Sequence, residues 1–136
     1  MRTSWTVGAA LGLILLGVIA VPTIARPPQE GEWSVPDAAK KVKNPVPSNA
    51  ASLAAGKGVY ADNCARCHGD MGKGDGPDGD LYDPGPTDFT DVQSMKEMSD
   101  GELFYKITNG RRPMPSFKKE LTDTQRWQVT NYLRTF

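Results

Sequence analysis

The chain has 136 residues, enough for one domain and a leader segment, and its 16 basic and 16 acidic residues leave no net charge at pH 7. This balance gives no indication of a nucleic-acid partner, and we expect none. Only 38% of the residues are hydrophobic and 8% are aromatic. A single domain of this composition has a small hydrophobic core and needs a further source of stability.

Residues 1–25 form a hydrophobic leader. Arg2 provides a positive start, and the 21 residues from Trp5 to Ala25 carry no charge. Small residues at Thr23 and Ala25 resemble a signal-peptidase site, yet the run is also long enough to span a bilayer. The leader is therefore predicted to be a signal peptide or a membrane anchor. Either alternative places the rest of the chain on the periplasmic side of the cytoplasmic membrane.

Residues 26–51 contain five of the eleven prolines and show little apolar periodicity. Proline removes backbone donors and disfavours helix, so this segment is predicted to be an extended linker or a strap on the domain surface. Trp33 is a large apolar ring in such a setting. It is expected to dock either on the domain or on a partner. The compact domain is predicted to cover residues 52–136.

Three helices are predicted, and each begins at a capping residue. Capping boxes with an acid or amide three residues after the cap mark the second and third of them. The first helix begins at Ser52 and runs to residue 61, the second follows Ser99 and ends at Asn109-Gly110, and the third begins at Thr122 and runs to residue 133. The pattern indicates an all-α domain of three to four short helices.

The pentapeptide Cys64-Ala65-Arg66-Cys67-His68 reads C-x-x-C-H, the pattern for covalent attachment of c-type haem. Two thiols three positions apart can reach the two vinyl groups at one edge of a porphyrin, and the following imidazole can bind the iron. A redox dithiol would need alternating strands and helices, and a zinc site would need more ligands. The chain has two cysteines and one histidine, all within this motif. We therefore predict haem on Cys64 and Cys67, with His68 as an iron ligand.

The segment from Gly69 to Pro86 is rich in glycine, aspartate and proline and is predicted to be a loop. Its aspartates raise the alternative of a calcium site. The EF-hand pattern with its closing glutamate is missing, so solvated turns are the preferred interpretation.

A second axial ligand must come from outside the motif, because His68 is the single histidine. Methionine is the next candidate, since a neutral thioether favours ferrous iron. Met114, between two prolines and directly after a helix end, is the predicted ligand. Met95 and Met98 are the alternatives, with core packing as their ordinary role, and an open position is a third.

Over residues 52–136 the chain resembles the class I, mitochondrial-type cytochromes c, especially the short bacterial mono-haem members. The haem motif, the Pro113-Met114-Pro115 loop and the closing helix carry the resemblance. Gly56 and Tyr60 stand eight and four residues before Cys64. In this family a glycine and an aromatic at these offsets cross against an aromatic of the last helix, here Tyr132.

The resemblance implies helices wrapped around one covalent haem c. It also implies a proline carbonyl that accepts a hydrogen bond from the axial histidine. Pro77 is the preferred candidate for that carbonyl, with Pro84 and Pro86 as alternatives. The side chains predicted to contact the haem are Tyr60, Phe104, Ile107 and Phe117.

The expected function is one-electron transfer between redox proteins, without enzymatic activity. Two other classes stay open. The first is a cytochrome subunit fixed in a respiratory or photosynthetic membrane complex, and the second is a haem enzyme or gas-binding protein with a labile Met114 bond. A basic rim for transient docking is expected around the haem edge, formed by Arg66, Arg111, Arg112, Lys118 and Lys119, although these residues could equally be a solvated surface.

Overall fold

The computed structural model describes residues 33–136, which contain six α-helices and no β-strand. The predicted all-α fold is confirmed within this range, and the hydrophobic leader 1–25 lies outside it. None of the helices in residues 33–136 combines the length and apolarity that a bilayer span requires. The helices are α1 (Asp37–Lys40), α2 (Ala50–Asn63), α3 (Ala65–His68), α4 (Val92–Glu97), α5 (Asp100–Asn109) and α6 (Asp123–Leu133), with a 3-10 turn at Gly79–Leu81.

The N-cap of helix α2 lies three residues before the predicted one. Asn49 is the N-cap, and its side chain accepts a hydrogen bond from the Ser52 backbone N–H at 3.0 Å. Ser52 returns the contact, because its hydroxyl oxygen accepts from the Asn49 N–H at 3.2 Å. Ser52 is therefore the third residue of the helix and closes a reciprocal capping box with Asn49, which is the cap.

The predicted starts of α5 and α6 are confirmed. Ser99 accepts from the Glu102 N–H at 3.1 Å, and Thr122 forms a reciprocal capping box with Gln125. Helix α4 was not predicted. Its N-cap is Asp91, whose carboxylate accepts from the backbone of the first turn, and Met95 is its buried residue.

Helices α2 and α6 cross at Gly56. A Cβ atom at this position would lie 2.1 Å from the Gln128 carbonyl oxygen and 2.9 Å from the Tyr132 Cβ atom. Only glycine allows this approach without displacing the α6 backbone. The rings of Tyr60 and Tyr132 pack beside the crossing, with centroids 5.4 Å apart. The predicted contact between the first and last helices is therefore present.

Residues 33–51 lie against α5 and α6. Val35 is buried, and the Ser99 hydroxyl donates to the Lys40 carbonyl at 2.7 Å. Asn44 donates to the Asn131 side-chain oxygen at 2.8 Å. We call residues 33–51 the strap. The division into a segment 26–51 and a domain 52–136 stays a prediction.

One apolar cluster fills the space between α2, α4, α5 and α6. Its buried members come from every one of these helices, from Ala65 of α3, and from the loops between them. They are Val59, Tyr60, Ala65, Phe89, Met95, Leu103, Ile107, Leu121, Val129 and Leu133, with Cys64, Met98, Met114, Phe117, Tyr132 and Phe136 partly buried against them.

Candidate haem site

The end of α2 and the single turn of α3 present the C-x-x-C-H motif. Cys64 donates its N–H to the Tyr60 carbonyl at 2.8 Å, and the His68 N–H returns to the Cys64 carbonyl at 2.9 Å. The motif is thus one continuous turn of backbone. Both thiols are free. Burial, together with the neighbouring Cys67, raises the pKa of the Cys64 thiol to about 12, so this thiol is protonated at neutral pH.

The glycine-rich loop folds back over the carbonyl end of α3. The Gly74 N–H donates to the His68 carbonyl at 2.8 Å, and the Gly76 N–H donates to the Cys67 carbonyl at 3.1 Å. A Cβ atom on Gly76 would lie 2.6 Å or less from two α3 carbonyl oxygens. The loop therefore satisfies carbonyls that the short helix leaves open, and the close approach explains the glycine at position 76.

The imidazole of His68 is oriented by the segment 87–89. Its Nδ1–H donates to the Thr87 carbonyl oxygen at 3.1 Å, because a carbonyl can only accept. The Phe89 ring stacks on the imidazole, with centroids 4.6 Å apart and planes 21° apart. Burial lowers the pKa of His68, against a smaller opposing effect of the Thr87 bond. The neutral ring thus keeps Nε2 available as a metal ligand.

The prediction that Pro77 supplies the carbonyl for His68 is wrong. Pro77 lies in an exposed turn between Gly76 and Asp78, whose N–H groups hold the loop beneath α3. The carbonyl of Thr87 takes that role instead. It reaches the ring because the Phe89 N–H donates to the Gly72 carbonyl at 2.7 Å and returns the chain to the motif.

Met114 lies in a turn, residues 110–117, which we call the methionine loop. Gly110 ends α5 with a φ of 62°, and the Arg111 N–H donates to the Met114 carbonyl at 3.0 Å. The loop returns to α5 where the Phe117 N–H donates to the Ile107 carbonyl at 3.1 Å. Met114 is half-buried and packs against the same apolar cluster as Cys64.

Met95 and Met98, the two alternative ligands, lie in different surroundings from Met114. Met95 is 7% exposed and belongs to the buried core on α4. The Met98 sulfur accepts a hydrogen bond from Lys106 Nζ at 3.3 Å. Met95 is thus a core residue. Met98 packs against the cluster as Met114 does, but its sulfur already accepts from Lys106, and this difference favours Met114 as the predicted ligand.

Of the predicted haem contacts, Tyr60, Ile107 and Phe117 lie in or against the cluster that includes Cys64 and Met114. Phe104 points elsewhere. Its ring stacks on Trp127 with centroids 3.9 Å apart, and the Arg126 guanidinium carbon lies 5.1 Å from its centroid. This placement favours a role in joining α5 to α6 over the predicted haem contact.

The residues predicted to form a basic rim differ in their surroundings. Arg66, predicted to belong to a basic rim, pairs with Asp78 at 2.5 Å. Arg112, Lys118 and Lys119 are exposed on or just after the methionine loop. Within residues 33–136 no group of three or more histidine, cysteine, aspartate or glutamate side chains is arranged to hold a metal ion.

Sequence reasoning missed the residues of segment 87–89. An aromatic residue at position 89, after a stretch of glycine, proline and aspartate, was the available indication that the chain there returns to the core. Phe89 is 9% exposed and contacts both His68 and Tyr60.

The donor set fits a covalently attached haem. Two free thiols and a neutral imidazole with a fixed tautomer lie on one turn, and a thioether packs on the cluster beside them. Residues 51–133 match the family model described as cytochrome C oxidase, cbb3-type, subunit III. The chain belongs to the cytochrome c family. It is a small class I member with one covalent haem c.

Known relatives of this cytochrome have different roles. It is 32% identical over 84 residues to cytochrome c6 of Synechocystis sp., a match covering 62% of this chain and 65% of the relative. It is 32% identical over 95 residues to thiosulfate dehydrogenase of Stutzerimonas stutzeri, covering 67% of this chain and 29% of that protein. The cytochrome thus spans less than two thirds of the length of either relative.

A solved structure shares the fold of the cytochrome. A chain of the reducing HAO-like protein complex of Kuenenia stuttgartiensis superposes with a TM-score of 0.57 and 33% identity. The match covers 67% of this cytochrome and 46% of that chain.

Proposed function

We propose that this cytochrome carries single electrons between redox proteins on the periplasmic side of the cytoplasmic membrane. Cys64 and Cys67 hold the haem through thioether bonds, and His68 and Met114 bind its iron. The observation that carries this proposal is the His68 ring, fixed as the Nδ1–H tautomer by Thr87 at 3.1 Å. The second support is the methionine loop, which packs Met114 on the cluster that includes Cys64.

Haem iron, when bound, accepts and releases one electron. The residues of this chain set the conditions for that exchange. The hydrogen bond from His68 to Thr87 increases the basicity of the ring, and Met114 stabilises ferrous iron and raises the potential. The apolar side chains of Tyr60, Ile107 and Phe117 keep water away from the ligands. With His68 and Met114 as its protein ligands, the haem iron would offer no position to a substrate.

Transfer requires brief contact with donors and acceptors. Arg112, Lys118 and Lys119 are exposed beside the methionine loop and supply positive charge for docking an acidic partner. Small interfaces of this kind dissociate quickly and weaken with salt.

A fixed subunit of a membrane complex is the second candidate. The family model that matches is described as an oxidase subunit, which favours this alternative. The haem chemistry would be the same, and the leader 1–25 would be an anchor rather than a cleaved signal.

Absorption spectra of the holoprotein test the ligands. The oxidised protein is expected to show the weak long-wavelength band of a methionine–ferric bond, and Met114→Ala is expected to lose it. Met98→Leu and Met95→Leu are the matched controls and keep the band. If Met114→Ala keeps the band and Met98→Leu loses it, the assignment of Met114 is wrong.

The same measurement separates the alternatives. A high-spin spectrum of the wild-type protein that shifts with carbon monoxide would support a haem enzyme or gas-binding protein. Recovery of the haem spectrum in the soluble fraction supports the free carrier. Recovery in washed membranes supports the fixed subunit.

A further inference from the structure

Trp33, at the start of the strap, has two cationic groups near its ring, one from α5 and one from the methionine loop. The Lys106 ammonium of α5 lies 5.8 Å from the centroid of its ring, and the Arg111 guanidinium carbon lies 5.3 Å from it. Both distances allow a cation–π contact. The sequence left open whether Trp33 docks on the domain or on a partner. In the structure its ring lies on the domain.

The strap holds the ring at this place. Two residues after Trp33, Val35 is 5% exposed. A Cβ atom on Gly101 of α5 would lie 2.1 Å from the Ala39 carbonyl oxygen, so α1 and α5 are in backbone contact. The Ser99 hydroxyl fastens the same region by its bond to the Lys40 carbonyl. The position of Trp33 is therefore coupled to α5.

Arg111 connects the ring to the predicted iron ligand. Its backbone N–H donates to the Met114 carbonyl, and this bond closes the turn that presents Met114. The other end of the loop is tied to α5 by Ser116, whose hydroxyl donates to the Thr108 carbonyl at 2.7 Å. A contact on the Arg111 side chain thus acts on the end of the loop opposite Ser116.

Lys106 extends the contact to α5. Its ammonium pairs with Glu102 at 2.8 Å, which fixes the side chain along the helix. Trp33 therefore contacts Lys106, whose position is set by α5, and Arg111, whose position is set by the methionine loop.

We propose that Trp33 is a positioning residue that holds the methionine loop against α5 through Arg111, and so keeps Met114 on the iron. This proposal rests on the proposed function, in which Met114 is an axial ligand. Removing the ring is expected to increase the fraction of protein in which Met114 has left the iron. An added ligand then binds more tightly, because its apparent affinity scales with the open fraction.

Imidazole binding to the ferric holoprotein measures this fraction. For Trp33→Ala we expect the apparent dissociation constant of imidazole to fall roughly two- to fivefold, the effect of losing one exposed cation–π contact. Trp33→Phe retains a ring and is expected to give an intermediate value. Val42→Ala, at an exposed position of the same strap, is the control and leaves the constant unchanged.

A double-mutant cycle assigns the effect to Arg111. In an Arg111→Gln background, Trp33→Ala is expected to produce little further change. An unchanged imidazole constant for Trp33→Ala, or an equal change in both backgrounds, overturns this proposal. If the wild-type ferric protein lacks the methionine band, the proposed function fails instead, and the two failures are thereby distinguished.

Discussion

Tyr60 shows how one side chain connects the helix crossing to the haem motif. Its ring packs on Tyr132 and Phe136, with centroids 5.4 and 5.1 Å away, while its hydroxyl donates to the Gly69 carbonyl at 2.7 Å. Burial raises the pKa of Tyr60 well above its ordinary value, so the hydroxyl stays a donor throughout the neutral range. The bond holds the residue that directly follows His68.

Tyr60→Phe is expected to lower the free energy of unfolding by about 0.5–1.5 kcal/mol, because the Gly69 carbonyl would lose one of its two donors and keep only the Gly72 N–H at 3.1 Å. Tyr132→Phe is the matched control, since its hydroxyl makes no hydrogen bond to any described residue. Urea unfolding of both holoproteins measures the difference. Equal values for the two variants would show that the Tyr60 hydroxyl contributes nothing.

At the scale of the elements, the crossing of α2 and α6 brings the two ends of the domain together. The two glycines of α2 are in opposite situations. Gly56 faces the Gln128 carbonyl, whereas an added Cβ atom on Gly58 would meet nothing within 4 Å. Because glycine costs about 1 kcal/mol relative to alanine inside a helix, two glycines in one helix indicate that another backbone approaches it closely. The structure assigns that approach to Gly56 alone.

These glycines provide a matched pair of substitutions. Gly58→Ala is expected to stabilise the protein by up to about 1 kcal/mol, because alanine is the better helix former. Gly56→Ala is expected to destabilise it by about 1–3 kcal/mol, since α6 must shift to admit the methyl group. Thermal and urea unfolding check both signs. Stabilisation by Gly56→Ala would contradict the close crossing.

At the scale of the whole molecule, the strap adds a polar layer to an otherwise apolar core. The Asn44 amide donates to the Trp127 carbonyl at 3.2 Å and to the Asn131 side chain at 2.8 Å. Asn131, which is 6% exposed, in turn donates to the Val46 carbonyl at 3.1 Å. The strap and α6 thus satisfy each other's buried polar groups.

Asn44→Ala is expected to cost about 1–3 kcal/mol of stability, because it leaves the side-chain oxygen of the buried Asn131 without its donor. Asn109→Ala is the control. Its amide is exposed and bonds within its own helix, and changes at such positions stay within about 0.5 kcal/mol. Urea unfolding of the two variants decides the point. A cost for Asn44→Ala no larger than for Asn109→Ala would mean that the strap contributes little to folding.

The sequence by itself determined the features that depend on neighbouring residues. The haem motif is a local spacing of thiols and imidazole, and the caps at Ser99 and Thr122 are hydrogen bonds spanning three residues. The cofactor and the all-α fold followed from these patterns and are confirmed. Met114 was selected largely by elimination among few candidates, and its role as a ligand stays a prediction.

The tertiary structure alone decided which distant segments meet. The carbonyl that accepts the hydrogen bond from the His68 imidazole belongs to Thr87, 19 residues further along the chain. The prediction had assigned this role to Pro77. The ring of Phe104 stacks on Trp127. Trp33 contacts Arg111, although the two residues lie far apart in the sequence. Local propensity carries no information on such contacts, because packing between elements fixes them only when the whole core closes.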